Sequence, residues 1–239
     1  MWSQLLRSEM KALAENMKIR VIAIFAILAC VATSGFSKKL EEFRPTFVVP
    51  DATEDYYFDT LKIIEKQDVS LLNDIDFVKF RRSFLEARDS KGLEISTELL
   101  KSYNEAMNAE NPDGGLIVSL CEEILEKDYT DLNRHVIRNY FLEQQGKDVS
   151  FYREVTSRLI DSIMTSGDGR SPETAFHVFQ VKEEYEIIKM FRMRMIEQTL
   201  ISIGDHSFDI MECEDVEGNT FEIYFDITEH MEKIRAVLE

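Results

Sequence analysis

The rhythm of apolar positions changes along the chain, and each change marks a different kind of element. From Tyr57 to Ile163 the period is helical. Tyr57, Leu61 and Ile64 share one face; Phe77, Phe80 and Phe84 repeat it after Asn73-Asp74, with Val78 and Leu85 widening the stripe. Leu99, Tyr103 and Met107 follow, then Leu116, Leu120, Cys121 and Ile124, then Leu132, Val136 and Tyr140, and finally Tyr152, Val155, Leu159 and Ile163. The pattern predicts about six amphipathic helices. Polar breaks at 89–92, 111–115, 128–131 and 146–148 are short, which predicts antiparallel helical hairpins.

After Met164 the period shortens. Thr165 to Pro172 is a turn-forming run, Ala175 to Val181 reads as a strand, and Glu183 to Arg194 reads as a helix with Tyr185, Ile188 and Phe191 inward. Met195 to Ile203 and Phe208 to Cys213 are strands. Phe221, Ile223, Phe225 and Ile227 alternate with Glu222, Tyr224 and Asp226, and Glu217-Gly218-Asn219 supplies the tight turn of a hairpin over 207–227. A helix from Glu229 to Leu238 closes the unit. The expected fold is therefore α+β, with an extended lead-in over 38–53, helical hairpins over 54–164 and a small antiparallel sheet unit over 165–239. Residues 131–164 and 97–130 are two windows of 34 residues with tetratricopeptide rhythm, although Arg138, Val149 and Thr156 stand where close helix packing asks for small side chains.

The N-terminus has a third pattern. Met17-Lys-Ile-Arg precedes an uncharged run from Val21 to Ser37, whose strongly apolar part, Val21 to Ala32, is short for a bilayer span. A basic start, an apolar centre and small residues at its exit are the parts of a secretory signal, so residues 1–37 are expected to be removed after Ser37, with Ser34 as the second choice. Met17 is an alternative start. Ile27-Leu28-Ala29-Cys30 also resembles a lipobox, which would make Cys30 a lipidation site, and a single membrane anchor is the remaining alternative. The expected location is the periplasm, cell surface or medium, with peripheral or no membrane association after cleavage.

Charge narrows the partners. The chain carries 28 Lys+Arg against 45 Asp+Glu, a net charge of −17, which disfavours nucleic acid and anionic lipid. Loss of residues 1–37 would leave −19. At 44% hydrophobic and 10% aromatic the chain can bury a core. Three Cys and four His without metal-binding spacing imply no cofactor. Cys121 and Cys213 could pair in an exported protein, but Cys121 lies in a helical stripe and both are expected to be free.

Ser166-Gly-Asp-Gly-Arg-Ser-Pro-Glu-Thr-Ala-Phe176, Glu183-Glu184-Tyr185, Asp205-His-Ser-Phe-Asp-Ile-Met-Glu212 and Tyr224-Phe-Asp226 resemble an uncharacterised bacterial family, the domain of unknown function 4919. The resemblance covers roughly residues 57–228 and implies export and a helical part followed by this tail. It carries over no activity and no catalytic residue.

The residues themselves offer a few chemical candidates. His206 with Asp205, Ser207 and Asp209 is the nearest approach to a hydrolytic set, yet neighbours on a strand point to opposite faces, and no Gly-x-Ser-x-Gly elbow is present. Asp168 between Gly167 and Gly169 matches neither a phosphate loop nor a calcium loop and reads as a structural turn. Arg134, His135 and Arg138 could form an anion-binding face, against the ordinary reading of a solvated helix surface. Tyr140, Phe141, Phe151 and Tyr152 could line a peptide groove, against a place in the core. No complete catalytic set emerges, so the expected function is an exported, non-catalytic binding or scaffolding protein whose partner is a protein or peptide. A secreted hydrolase built on His206 and an envelope lipoprotein carried by Cys30 are the alternatives.

Overall fold

The structure is a computed structural model and describes residues 46–238. The signal-like segment, Cys30 and the first part of the lead-in lie outside the described residues. The described residues form two compact units: residues 49–163 make one, and residues 46–48 together with 164–238 make the other. The helical unit is thus an insertion in the sequence of the sheet unit.

In the helical unit, helix starts are written in short polar residues. Helices α1 (Glu54–Ile64), α2 (Phe77–Lys91), α3 (Thr97–Met107), α4 (Gly114–Lys127) and α5 (Leu132–Gln144) are preceded by Thr53, Asp76, Ser96, Asp113 and Asp131. Each of these side chains accepts a backbone N–H of the first turn that would otherwise go unpaired. Helix α2 ends on Gly92, whose φ of 62° closes the last turn. Helix α6 (Ser150–Met164) completes the six that the periodicity predicts. A short 3₁₀ turn, Val69–Asp74, was not predicted and buries Leu72.

Consecutive helices pack on one another, α1 on α2, α3 on α4 and α4 on α5, as short connections require. Tyr57 stacks on Phe80 at 5.2 Å, and Phe84, Ile117, Cys121, Ile124, Leu159 and Ile163 fill the interior. Leu116 departs from its expected stripe and is half exposed in the first turn of α4. A tetratricopeptide register is not established by these helices: Arg138, Val149 and Thr156 are all buried where that register calls for small residues.

The sheet unit has four strands, β1 (Phe176–His177), β2 (Arg194–Ile203), β3 (His206–Glu214) and β4 (Thr220–Asp226), in the order β1-β4-β3-β2. The sheet is mixed, because β1 runs parallel to β4 while β2, β3 and β4 are antiparallel. That corrects the purely antiparallel expectation. β1 is also shorter than the Ala175–Val181 run suggests. The Glu183 carboxylate accepts the N–H groups of Phe179 at 2.8 Å and Gln180 at 3.3 Å, a capping box that turns the chain into helix α7 (Val181–Met190).

The β3–β4 hairpin forms as the alternation predicts. Asp215 accepts N–H groups of Glu217 and Asn219, and Gly218 takes a φ of 86°. Phe225 and Ile223 are buried on one face, with Phe221 half-buried beside them. β2 and β3 are joined by a two-residue turn at Gly204, φ 60°, and Asp205. Helix α8 (Thr228–Leu238) follows β4. Thr46 of the lead-in donates its N–H and Oγ to the Glu173 carbonyl, and Phe47 packs its ring 5.4 Å from that of His177, which makes these residues part of the sheet unit.

β2 is the outer strand of the sheet. Among the described residues it pairs with β3 alone, and only Ile201 and Ile203 of its ten residues are even half-buried. Met195, Ile196 and Leu200 are its exposed apolar side chains, and the pairing register shifts at Ile196 as in a β-bulge.

Candidate functional site

The two faces of the sheet carry two clusters of titratable side chains. Residues 207, 209, 211 and 213 of β3 share a face with Phe221, Ile223 and Phe225, because Asp209 stands opposite Phe225, Met211 opposite Ile223 and Cys213 opposite Phe221. Helix α7 contributes Glu184 to the Asp209 cluster. Glu184 is fully buried and neither of its carboxyl oxygens receives a hydrogen bond. Burial, and next to it the Asp209 carboxylate, pushes the Glu184 carboxyl up to about 9. Glu184 is therefore neutral at neutral pH. Asp209 accepts from Gln198 Nε2 at 2.7 Å, and Gln198 Oε1 accepts from the Tyr185 hydroxyl at 2.9 Å.

On the opposite face, His206 Nδ1 and His177 Nδ1 lie 3.6 and 3.7 Å from the same oxygen of Asp226. Asp226 Oδ1 accepts the Thr228 hydroxyl at 2.5 Å and the Thr228 N–H at 3.0 Å. Burial works against its charge, but the contacts from His177 and Thr228 prevail and hold the carboxyl below the usual range. Thr228 Oγ in turn accepts from Ser207 N at 3.0 Å. His206 thus meets Asp226 and Thr228. Ser207 and Asp209 belong to the other face, and Asp205 is exposed in the turn. The hydrolytic set suggested by adjacency in sequence is therefore dispersed, as the alternation of a strand requires. The Thr228 hydroxyl donates to Asp226 in an Asx-type turn that starts α8, and it lies 3.3 Å from His206 Nδ1.

The Gly167-Asp168-Gly169 loop is built for its own closure. Asp168 Oδ1 accepts from Thr174 Oγ at 2.6 Å and Arg170 N at 3.1 Å. The N–H groups of Asp168 and Gly169 both reach the Thr174 carbonyl, and the Gly169 carbonyl accepts from Tyr224 N at 2.8 Å. A Cβ on Gly167 would sit 2.2 Å from Thr174 O, and Gly169 has a φ of 69°.

In the helical unit Arg138 and His135 are buried, which corrects the solvated-face reading. His135 Nε2 lies 2.7 Å from Tyr129 O and its Nδ1 lies 3.1 Å from Arg138 Nη2. The arrangement assigns the ring proton to Nε2. Burial, helped by the Arg138 charge, pushes His135 down to about 3. Arg138 lies over the Tyr152 ring at 4.2 Å and Arg134 over Tyr103 at 4.1 Å. Phe141 is in the core, while Tyr140, Phe151 and Tyr152 are half-buried. Cys121 and Cys213 are both buried and free. Helix α3 bears a shallow groove of about 410 Å³ along Thr97, Leu100, Lys101, Asn104, Glu105 and Asn108, which contains none of the buried titratable groups. Among the described residues no three His, Cys, Asp or Glu side chains converge as a metal ion would need, and no helix is long and apolar enough to cross a membrane.

The model of a domain family of unknown function, DUF4919, matches residues 11–236. The chain belongs to the DUF4919 family. No curated protein and no solved structure matches it. In this DUF4919 chain the residues that carry the resemblance have structural work that can be named: Glu183 closes the capping box, Asp168 closes its loop, Asp209 accepts from Gln198 beside the buried Glu184, and Asp226 ties β4 to α8. Sequence reasoning had no role for His177, Gln198 or Thr228. Asp226-Ile-Thr228 directly before a helical run was the available signal for the last.

Proposed function

We propose that this DUF4919 chain is an exported, non-catalytic binding protein that engages a protein or peptide through the free edge of β2. The observation that carries this reading is that outer strand: ten residues long, exposed along nearly its whole length, and with Met195, Ile196 and Leu200 open to solvent. A long outer strand offers a row of unpaired N–H and C=O groups, and extended segments bind such edges by adding a strand. The buried clusters on both sheet faces fix the strands behind that edge rather than offer reacting groups. Export rests on the N-terminal pattern of a basic start, an apolar run and small residues before Lys38.

Hydrogen–deuterium exchange tests the edge, and N-terminal mass spectrometry tests export. Outward amides of β2 should exchange fast in the isolated protein and slow when an extended peptide is added, with protection concentrated at 194–203. Unaltered exchange there would remove the reading. A chain recovered from the envelope fraction should begin near Lys38, and an intact residue 17–30 segment in the cytoplasm would contradict export.

A further inference from the structure

The edge of β2 has a charge pattern that selects its occupant. Glu197 of β2 stands directly opposite Glu212 of β3, and Glu212 directly opposite Glu222 of β4. Three glutamates thus form one row across three adjacent strands on a single face. Like charges in directly opposed positions destabilise a sheet. Glu222 is relieved by the Tyr224 hydroxyl, which donates to its Oε2 at 2.9 Å. The side chains of Glu197 and Glu212 make no hydrogen bond or ion pair among the described residues. The cation nearest along the strand, Arg194, is held by Glu214. The row therefore ends at the open edge with its charge uncompensated, in a chain whose net charge is −17.

The other face of the same strand is different. Met195 and Leu200 point there, with Gln198 between them, since they pair with Cys213, Asp209 and Met211, which lie on the face opposite the glutamates. A strand added beside β2 would continue both rows. Its residue beside Glu197 would extend the acidic row, and its alternate residues would lie against Met195 and Leu200. A cation satisfies the first position and apolar side chains the second.

We infer, on the reading that β2 is a docking edge, that the occupant is an extended segment in which basic and apolar residues alternate, paired through its main chain with β2 and through its cation with the Glu197–Glu212–Glu222 row. A second copy of this chain fits less well, because β2 would bring a second Glu197 and a second net charge of −17 to the contact.

Fluorescence anisotropy with the full chain and labelled synthetic peptides of about ten residues tests this. The probes are a Lys-Val repeat, a Thr-Val repeat, a Glu-Val repeat and a Lys-Val repeat N-methylated at alternate amides. The Lys-Val repeat should bind at least about tenfold tighter than the Thr-Val repeat, with the advantage shrinking as salt rises from about 50 to about 300 mM. The Glu-Val repeat should bind weakest, and methylation should remove binding. Glu197→Gln with Glu212→Gln should erase the preference for Lys while leaving Thr-Val binding and the melting temperature intact or higher. Equal binding of Lys-Val and Thr-Val would overturn the basic occupant and leave the edge standing. Failure of every unmethylated peptide would overturn the edge as well. Methylation-insensitive Lys-Val binding would reduce the interaction to diffuse charge and overturn the inference, as would a dimer in sedimentation that Leu200→Lys dissociates.

Discussion

Glu184 and His135 are each buried in the charge state that water would not choose at some accessible pH, and they respond to pH in opposite directions. Unfolded, the Glu184 carboxyl loses its proton near 4.5; folded, it keeps it up to about 9. The unfolded chain therefore binds fewer protons across that window, and stability falls as pH rises from 4.5 to 9, by about 1.4 kcal/mol per pH unit for this group at full separation. Glu184→Gln removes the ionisation. Its melting temperature should exceed the parent's at pH 8.5 and approach it near pH 5, as thermal melts across pH will show. His135 works the other way. Its folded value near 3 lies below the ordinary 6.5, so the unfolded chain binds the extra proton and stability is lost as pH falls from 6.5 toward 3.

Elements explain what the sequence could and could not convey. The β3–β4 hairpin was legible because alternation and a tight turn agree, and the structure buries Phe225 completely. Phe225→Ala should cost about 3–5 kcal/mol in denaturant unfolding. The Ser166–Thr174 loop was legible as a turn, but the reason for its two glycines differs between them. Gly169 needs its positive φ as well as room beside the Phe176 ring; Gly167 needs only the space that lets the Thr174 carbonyl approach. Gly167→Ala should therefore destabilise by about 1–3 kcal/mol although its φ is ordinary, whereas Asp168→Asn, which keeps the accepting oxygen, should shift the melting temperature little and do so equally with or without calcium.

The parallel placement of β1 was not legible. Two residues give no periodicity, and their partner in β4 lies far along the chain. The histidine cluster escaped for the same reason: His177 and His206 meet at Asp226 only after the strands have paired, and adjacency in sequence pointed instead to Ser207 and Asp209 across the sheet. The buried Arg138 in α5 escaped because periodicity distinguishes faces, not whether a cation is covered by Tyr152.

At the scale of the molecule, each unit holds one free buried cysteine among the described residues, Cys121 within the helices and Cys213 within the sheet. Burial raises both thiols, to about 12 and about 11, the second with help from Glu212, so neither reacts until its own surroundings open. The chain thus carries two internal clocks, one per unit, that need no engineered label. With Cys30 replaced by Ser, a thiol reagent and peptide mapping should read two separate opening rates. Moving from pH 7 to pH 9 should quicken Cys213 more than Cys121, beyond the common gain in thiolate, because Glu184 loosens the sheet unit alone. Identical acceleration at both sites would mean that the whole chain opens as one body.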